Sequence, residues 1–220
     1  MDVPTTRGTT IVSDSGEVMD FTNNQFKKYK LANIGADTAD SLLEYVEKFD
    51  LKWEEGGVSN KSAVDYNRRR SKISWIDDDQ LRDYVWGQFT SANQDPDWQF
   101  DITTIENIQF THYEPSPTPD DSNPVMQLNG HYDWHSDEII YPGDEKVVRK
   151  LSMTLVLNDG YVGGEFEFAF LKSHKIDYKA LNLKKGDIVI FPSMLEHRVN
   201  PVKIGERKVI VCWAWGPLFK

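Results

Sequence analysis

The segment GHYDWHSDEI, residues 130–139, holds two overlapping His-x-Asp pairs: His131 with Asp133 and His135 with Asp137. On a strand, residues i and i+2 face the same side, so either pair can aim an imidazole and a carboxylate at one ion. A non-heme Fe(II) site needs one more imidazole. Two His and one carboxylate then occupy one face of an octahedron, leaving the opposite positions for a co-substrate and dioxygen. The chain has five histidines, so the search is short: His112, His174 and His197 remain. His197 stands out, because it follows the apolar run ending in Phe191-Pro192 and a turn, and Arg207 comes ten residues after it. From the next strand Arg207 can return to the same cavity, where its planar fork suits a carboxylate. Two His, one Asp and one Arg describe a pocket for iron and an oxo-acid. Which His-x-Asp pair supplies the ligands stays open on spacing alone.

These residues resemble the Fe(II)- and 2-oxoglutarate-dependent dioxygenases, in particular their prolyl 4-hydroxylase-like branch. That branch has Tyr-x-x-His-x-Asp, then a downstream His with a basic residue about ten positions later; here the motif reads Tyr132-Asp133-Trp134-His135-Ser136-Asp137, then His197 and Arg207. Only His135 has an aromatic three residues before it, since His131 has Leu128 there. The resemblance extends over about residues 105–215, through RKLSMTLVLND, GGEFEF, KKGDIVIFPSMLEHRVNPV and Trp213. It implies Fe(II) held by His135, Asp137 and His197, with 2-oxoglutarate paired to Arg207 and bordered by Tyr113, Tyr132 and Trp213. It also implies O2 as second co-substrate and admits ascorbate as a reductant. The implied reaction hydroxylates an unactivated C–H bond and releases succinate and CO2, with a peptidyl proline in a peptide or protein as the preferred target. A free amino acid, another peptidyl residue or a small metabolite are alternatives. In YNRRRSKISW, Arg68, Arg69 and Arg70 resemble a substrate-side strand and lid of the branch, whereas three arginines in a row are usually a solvated edge. Two other classes fit these residues less well. A cupin-like Zn or Mn enzyme would leave Arg207 without a purpose, and a silent jelly-roll binding module would not need the complete ligand set. His112, His131, Asp133 and His174 read as surface or supporting groups.

The elements that must position these groups follow from periodicity. Leu42, Leu43, Val46 and Phe49 recur on one helical face, with Asp37 or Thr38 as cap. A second stripe has Leu81, Tyr84, Val85 and Phe89, opened by Asp77 with Gln80 three residues on, so the Asp77–Asp79 run reads as a helix start and not a metal site. From residue 105 the pattern changes to short β-branched and aromatic runs, which predict strands near 105–113, 130–135, 150–158, 165–170, 187–191, 196–199 and 208–215. The Pro-rich stretch 114–129 reads as a long loop in front of the His-x-Asp pairs and as a lid. The fold class expected is mainly β with flanking helices, an α+β chain with a double-stranded β-helix (jelly-roll) core and N-terminal helices on one face. Residues 1–24 read as an arm and 25–220 as one domain.

Net charge is −10, from 35 acidic and 25 basic residues. That field repels nucleic acid and anionic membrane. The lone Cys212 lies in the apolar run VIVCWAW and has no intramolecular partner, which suits a reducing compartment. No cationic-then-apolar leader or membrane-length apolar run is present, so a cytoplasmic location is expected.

Overall fold

The computed structural model describes residues 10–12, 18–20, 29–57, 65–115, 129–141, 144–172 and 175–219. Along the chain, the elements of the core are β1 (Lys30–Asn33), α1 (Ala36–Val46), β2 (Arg69–Arg70), β3 (Lys72–Ile76), α2 (Asp79–Asn93), β4 (Ile108–Tyr113), β5 (His131–His135), β6 (Asp144–Val156), β7 (Phe166–Lys172), β8 (Lys175–Leu181), β9 (Asp187–Pro192), β10 (His197–Val199) and β11 (Arg207–Pro217). In the stretch expected to be an arm, Thr10–Val12 pairs with Val18–Asp20.

Two antiparallel sheets face each other. The larger has the order β1-β9-β6-β11-β4-β3, extended by Glu54–Glu55 at the β3 edge; the smaller has the order β8-β7-β10-β5-β2. Because β6 is covered on both sides, its residues are buried without interruption from Val148 to Val156. Leu151, Met153 and Leu155 face the helices, in one cluster with Val46, Leu81, Val85 and Phe89. Val156 joins Val189, Phe191, Phe166, Phe168 and Val199 in the cluster between the sheets. This is the expected double-stranded β-helix with helices on one face.

Both helices bury the predicted stripes, but their starts differ from expectation. The α1 N-cap is Gly35, at φ +83 and with no side-chain cap, so neither Asp37 nor Thr38 caps it; Asp37 lies in the first turn, where the helix dipole favours a carboxylate. Phe49 lies beyond the helix end yet still packs on the core. In α2 the cap is Asp78 rather than Asp77, accepting from the Leu81 N–H at 2.8 Å, which removes Gln80 from the capping box.

Candidate metal and co-substrate site

β5 and β10 run antiparallel with His135 directly opposite His197, which brings the two imidazoles to 4.2 Å between ring centres. The same ladder pairs Val199 with Tyr132, so three steps along β5 match two along β10. That extra residue is a β-bulge, and it breaks the alternation of a flat strand. Tyr132 and His135, three apart, therefore both line one cavity, while Trp134 between them lies against Tyr178 and the Arg198 guanidinium. Asp137 follows β5, and its N–H donates to the Ser193 carbonyl at 2.8 Å, tying it to the turn after β9.

The three side chains converge. One Asp137 oxygen is 3.7 Å from His135 Nε2 and the other 3.5 Å from His197 Nε2, and one ligand atom from each residue lies within 4.8 Å of the others. All three residues are buried. His135 Nδ1 lies 2.6 Å from the Asp133 carbonyl and His197 Nδ1 2.9 Å from that of Leu195. A carbonyl only accepts, so each Nδ1 carries the proton and each Nε2 keeps its lone pair turned toward Asp137. Burial, and then the neighbouring His197, push the His135 imidazolium down to about 3. Burial opposes charge on Asp137, but His197, His135 and Arg149 outweigh it and hold the carboxyl at about 2. Neutral imidazoles beside a carboxylate are the forms a divalent cation binds.

Behind them lies Arg207. It is 1% exposed, and none of its three guanidinium nitrogens has a hydrogen-bond partner among the described residues. It therefore pairs with neither Glu206 nor Glu196. Cross-strand from it is Tyr113, whose ring lies 5.4 Å from the guanidinium. Gly164, at φ +70, makes room: a Cβ there would come within 2.8 Å of Arg207 Cδ. A fully buried, unpartnered cation is costly unless an anion meets it. Both groups implied by the sequence fit: a divalent metal on the triad and a carboxylate on Arg207.

The cavity, about 290 Å³, is lined by Tyr113, Tyr132, His135, Asp137, His197 and Trp213, among others. Arg69 lines it too; Arg68 and Arg70 do not. Sequence reading missed Glu106, Gln109, Arg149 and Thr154 on its wall. Arg149 lies over the Trp213 ring at 3.9 Å and pairs with Glu106 at 2.7 Å. Gln109, Arg149 and Thr154 had one available signal, a place on the strands around the cavity, and Glu106, just before β4, lacked even that. His131 is not a surface group. It is 1% exposed, with Nδ1 2.7 Å from the Asn129 carbonyl and Nε2 3.3 Å from that of Asn67. His112 lies between Glu114 at 3.5 Å and Glu206 at 3.2 Å, beside a different pocket. His174 and most of the expected lid, residues 116–128, lie outside the described residues.

A β-helix whose cavity presents two imidazoles and a carboxylate offers the ligand set of a mononuclear metal centre. Residues 124–215 match the 2OG-Fe(II) oxygenase superfamily. The family implies Fe(II), 2-oxoglutarate and O2. A PKHD-type hydroxylase from Crocosphaera subtropica is 32% identical over 111 residues, covering 50% of this chain and 42% of that protein. The chain thus spans less than half the length of the curated relatives it matches. A Pseudomonas putida prolyl-4-hydroxylase aligns with TM-score 0.61 at 21% identity, over 85% of this chain and 92% of that one. A Trichoplax adhaerens prolyl hydroxylase, solved with a hypoxia inducible factor peptide, aligns with TM-score 0.62 at 17% identity over 88% and 86%. These two share the fold. No described helix is long and apolar enough to cross a membrane.

Proposed function

We propose that the chain is an Fe(II)- and 2-oxoglutarate-dependent hydroxylase acting on a peptidyl proline. The observation that carries this reading is the buried Arg207, without a hydrogen-bond partner among the described residues, against the ring of Tyr113, which lines the same cavity as His135, Asp137 and His197. A metal enzyme without an oxo-acid would have no use for that cation. When bound, iron with 2-oxoglutarate and O2 supplies the oxidising power: one oxygen atom enters the substrate C–H bond and the other enters succinate, with loss of CO2.

The chain's own residues do the positioning. His135 Nε2, His197 Nε2 and an Asp137 oxygen hold the metal. Arg207 takes the distal carboxylate of 2-oxoglutarate in a charge-assisted bond, and Tyr113 borders it. Phe166, Val199 and Val211 give the cavity apolar walls that keep water from the buried charges. The proline preference is supported by the folds of the two prolyl hydroxylases, one of them solved with a peptide. The test is succinate release with Fe(II) and 2-oxoglutarate, coupled to mass spectrometry of a proline-containing peptide library and a host lysate. A gain of one oxygen on proline is expected; a gain on another residue or a metabolite moves the substrate. Product formation without 2-oxoglutarate overturns the reading.

A further inference from the structure

We propose that Arg69 is a positioning residue for the metal ligand His135, acting through Tyr132. The inference rests on the reading of His135 as a ligand. The two imidazoles are braced differently. His197 stacks with Phe166 at 5.3 Å and meets the edge of Phe191 at 4.7 Å, so core aromatics hold its plane. His135 stacks on Tyr132, with ring centres 3.4 Å apart and planes 15° from parallel.

Its Nδ1 bond to the Asp133 carbonyl fixes one edge of the ring but leaves rotation about that bond. The stack removes the rotation, and with it the freedom of the Nε2 lone pair to swing away from Asp137. What holds Tyr132 is Arg69, its direct cross-strand partner, whose guanidinium lies over the phenol ring at 4.5 Å.

Arg69 is itself locked. It is 7% exposed, and its fork donates to Ser71 Oγ at 2.9 Å, the Gly57 carbonyl at 3.0 Å and Gln109 Oε1 at 3.0 Å. A Cβ at Gly56 would come within 2.6 Å of Arg69 Nε, so the turn leaves space for this side chain. Each of these acceptors is neutral; the fork serves to place a flat cation on an aromatic face, which a lysine does less well. Arg69 thus has its hydrogen bonds committed to the protein rather than held out for a substrate.

The experiment is Co(II) titration of the metal-free full-length protein, read by visible absorption, with thermal melts run in parallel. Arg69→Met should bind Co(II) roughly ten- to a hundredfold more weakly, as losses of partners that orient a ligand do, and alter the shape of the absorption band. Arg69→Lys should recover part of the affinity. A role confined to stability would lower the melting temperature and leave the affinity and spectrum of the folded protein unchanged; that result overturns the proposal. Should Arg69→Met fail to fold, Tyr132→Leu provides the same reading, and wild-type Co(II) binding by that variant also overturns it. His135→Ala is the control: if it binds Co(II) like the wild type, the ligand assignment itself is wrong and the positioning role goes with it.

Discussion

Arg207 lies directly across the sheet from Tyr113, its guanidinium 5.4 Å from the phenol ring, and none of its nitrogens meets a protein acceptor among the described residues. Replacing it with Ala should weaken 2-oxoglutarate binding by about 1.5–3 kcal/mol, roughly ten- to a hundredfold or more. Metal affinity should change far less. Calorimetric titration of 2-oxoglutarate into protein loaded with Mn(II) checks both. Because an uncompensated buried cation destabilises the free protein, Arg207→Met should also melt no lower than wild type without co-substrate, while losing the rise in melting temperature that 2-oxoglutarate gives.

His135→Ala, Asp137→Ala and His197→Ala should each lose more metal affinity than the ten- to hundredfold typical of a supporting partner, with the fold retained. His131→Ala should do the reverse. It removes a buried ring with nitrogens close to the Asn129 and Asn67 carbonyls, so stability should fall by about 1–3 kcal/mol with the metal still bound. If His131→Ala lost the metal and His135→Ala kept it, the ligand pair would have been misassigned.

Acid should destabilise the metal-free protein. His135 stays neutral when folded down to about 3, whereas unfolded it takes a proton below its ordinary 6.5. Between those values the unfolded chain binds more protons, so stability falls with pH, by up to about 1.4 kcal/mol per unit from this group. Asp137, held at about 2 against 3.8, adds stability that is lost only at the acidic end of that range. Melting temperatures taken from about pH 7 to about pH 4.5 should drop, and His135→Leu should flatten the drop. A wild-type profile level across that window would contradict the neutral buried imidazole.

Gly164→Ala should mimic a weakened Arg207. The new methyl would press on Arg207 Cδ at a residue with φ +70, so both melting temperature and 2-oxoglutarate affinity should fall. Unchanged affinity would show that the guanidinium can move without losing the carboxylate.

The triad and Arg207 were legible because each belongs to a short local pattern: a fixed spacing, or an apolar run that ends at a polar residue. The long central strands were legible for the same reason. β8, KIDYKAL, was missed because it is an edge strand exposed from Lys175 to Ala180, with no buried face to leave an apolar period. β1 and β2, four and two residues long, are strands only because β9 and β5 pair with them. Glu106 and Arg149 meet across 43 residues of chain, and no local pattern records such a meeting. The α2 cap slipped by one position because neighbouring aspartates competed for the same role, and in α1 the glycine Gly35 took the cap with no side chain involved. Asp78 won in α2, and it also accepts from the Tyr45 hydroxyl at 3.0 Å.

The unmatched residue between Tyr132 and His135 turns the length of β5 into information. Point substitutions at Asp133 or Trp134 change a side chain and leave the count intact. Deleting either would leave Tyr132 and His135 two apart, still on one face of a regular ladder, while removing the local bend and extra twist that the bulge gives the strand. Genetic drift in this strand should therefore be permissive in spelling, with an in-frame single-codon loss changing the twist of the backbone at the site and loss of the histidine removing the ligand itself.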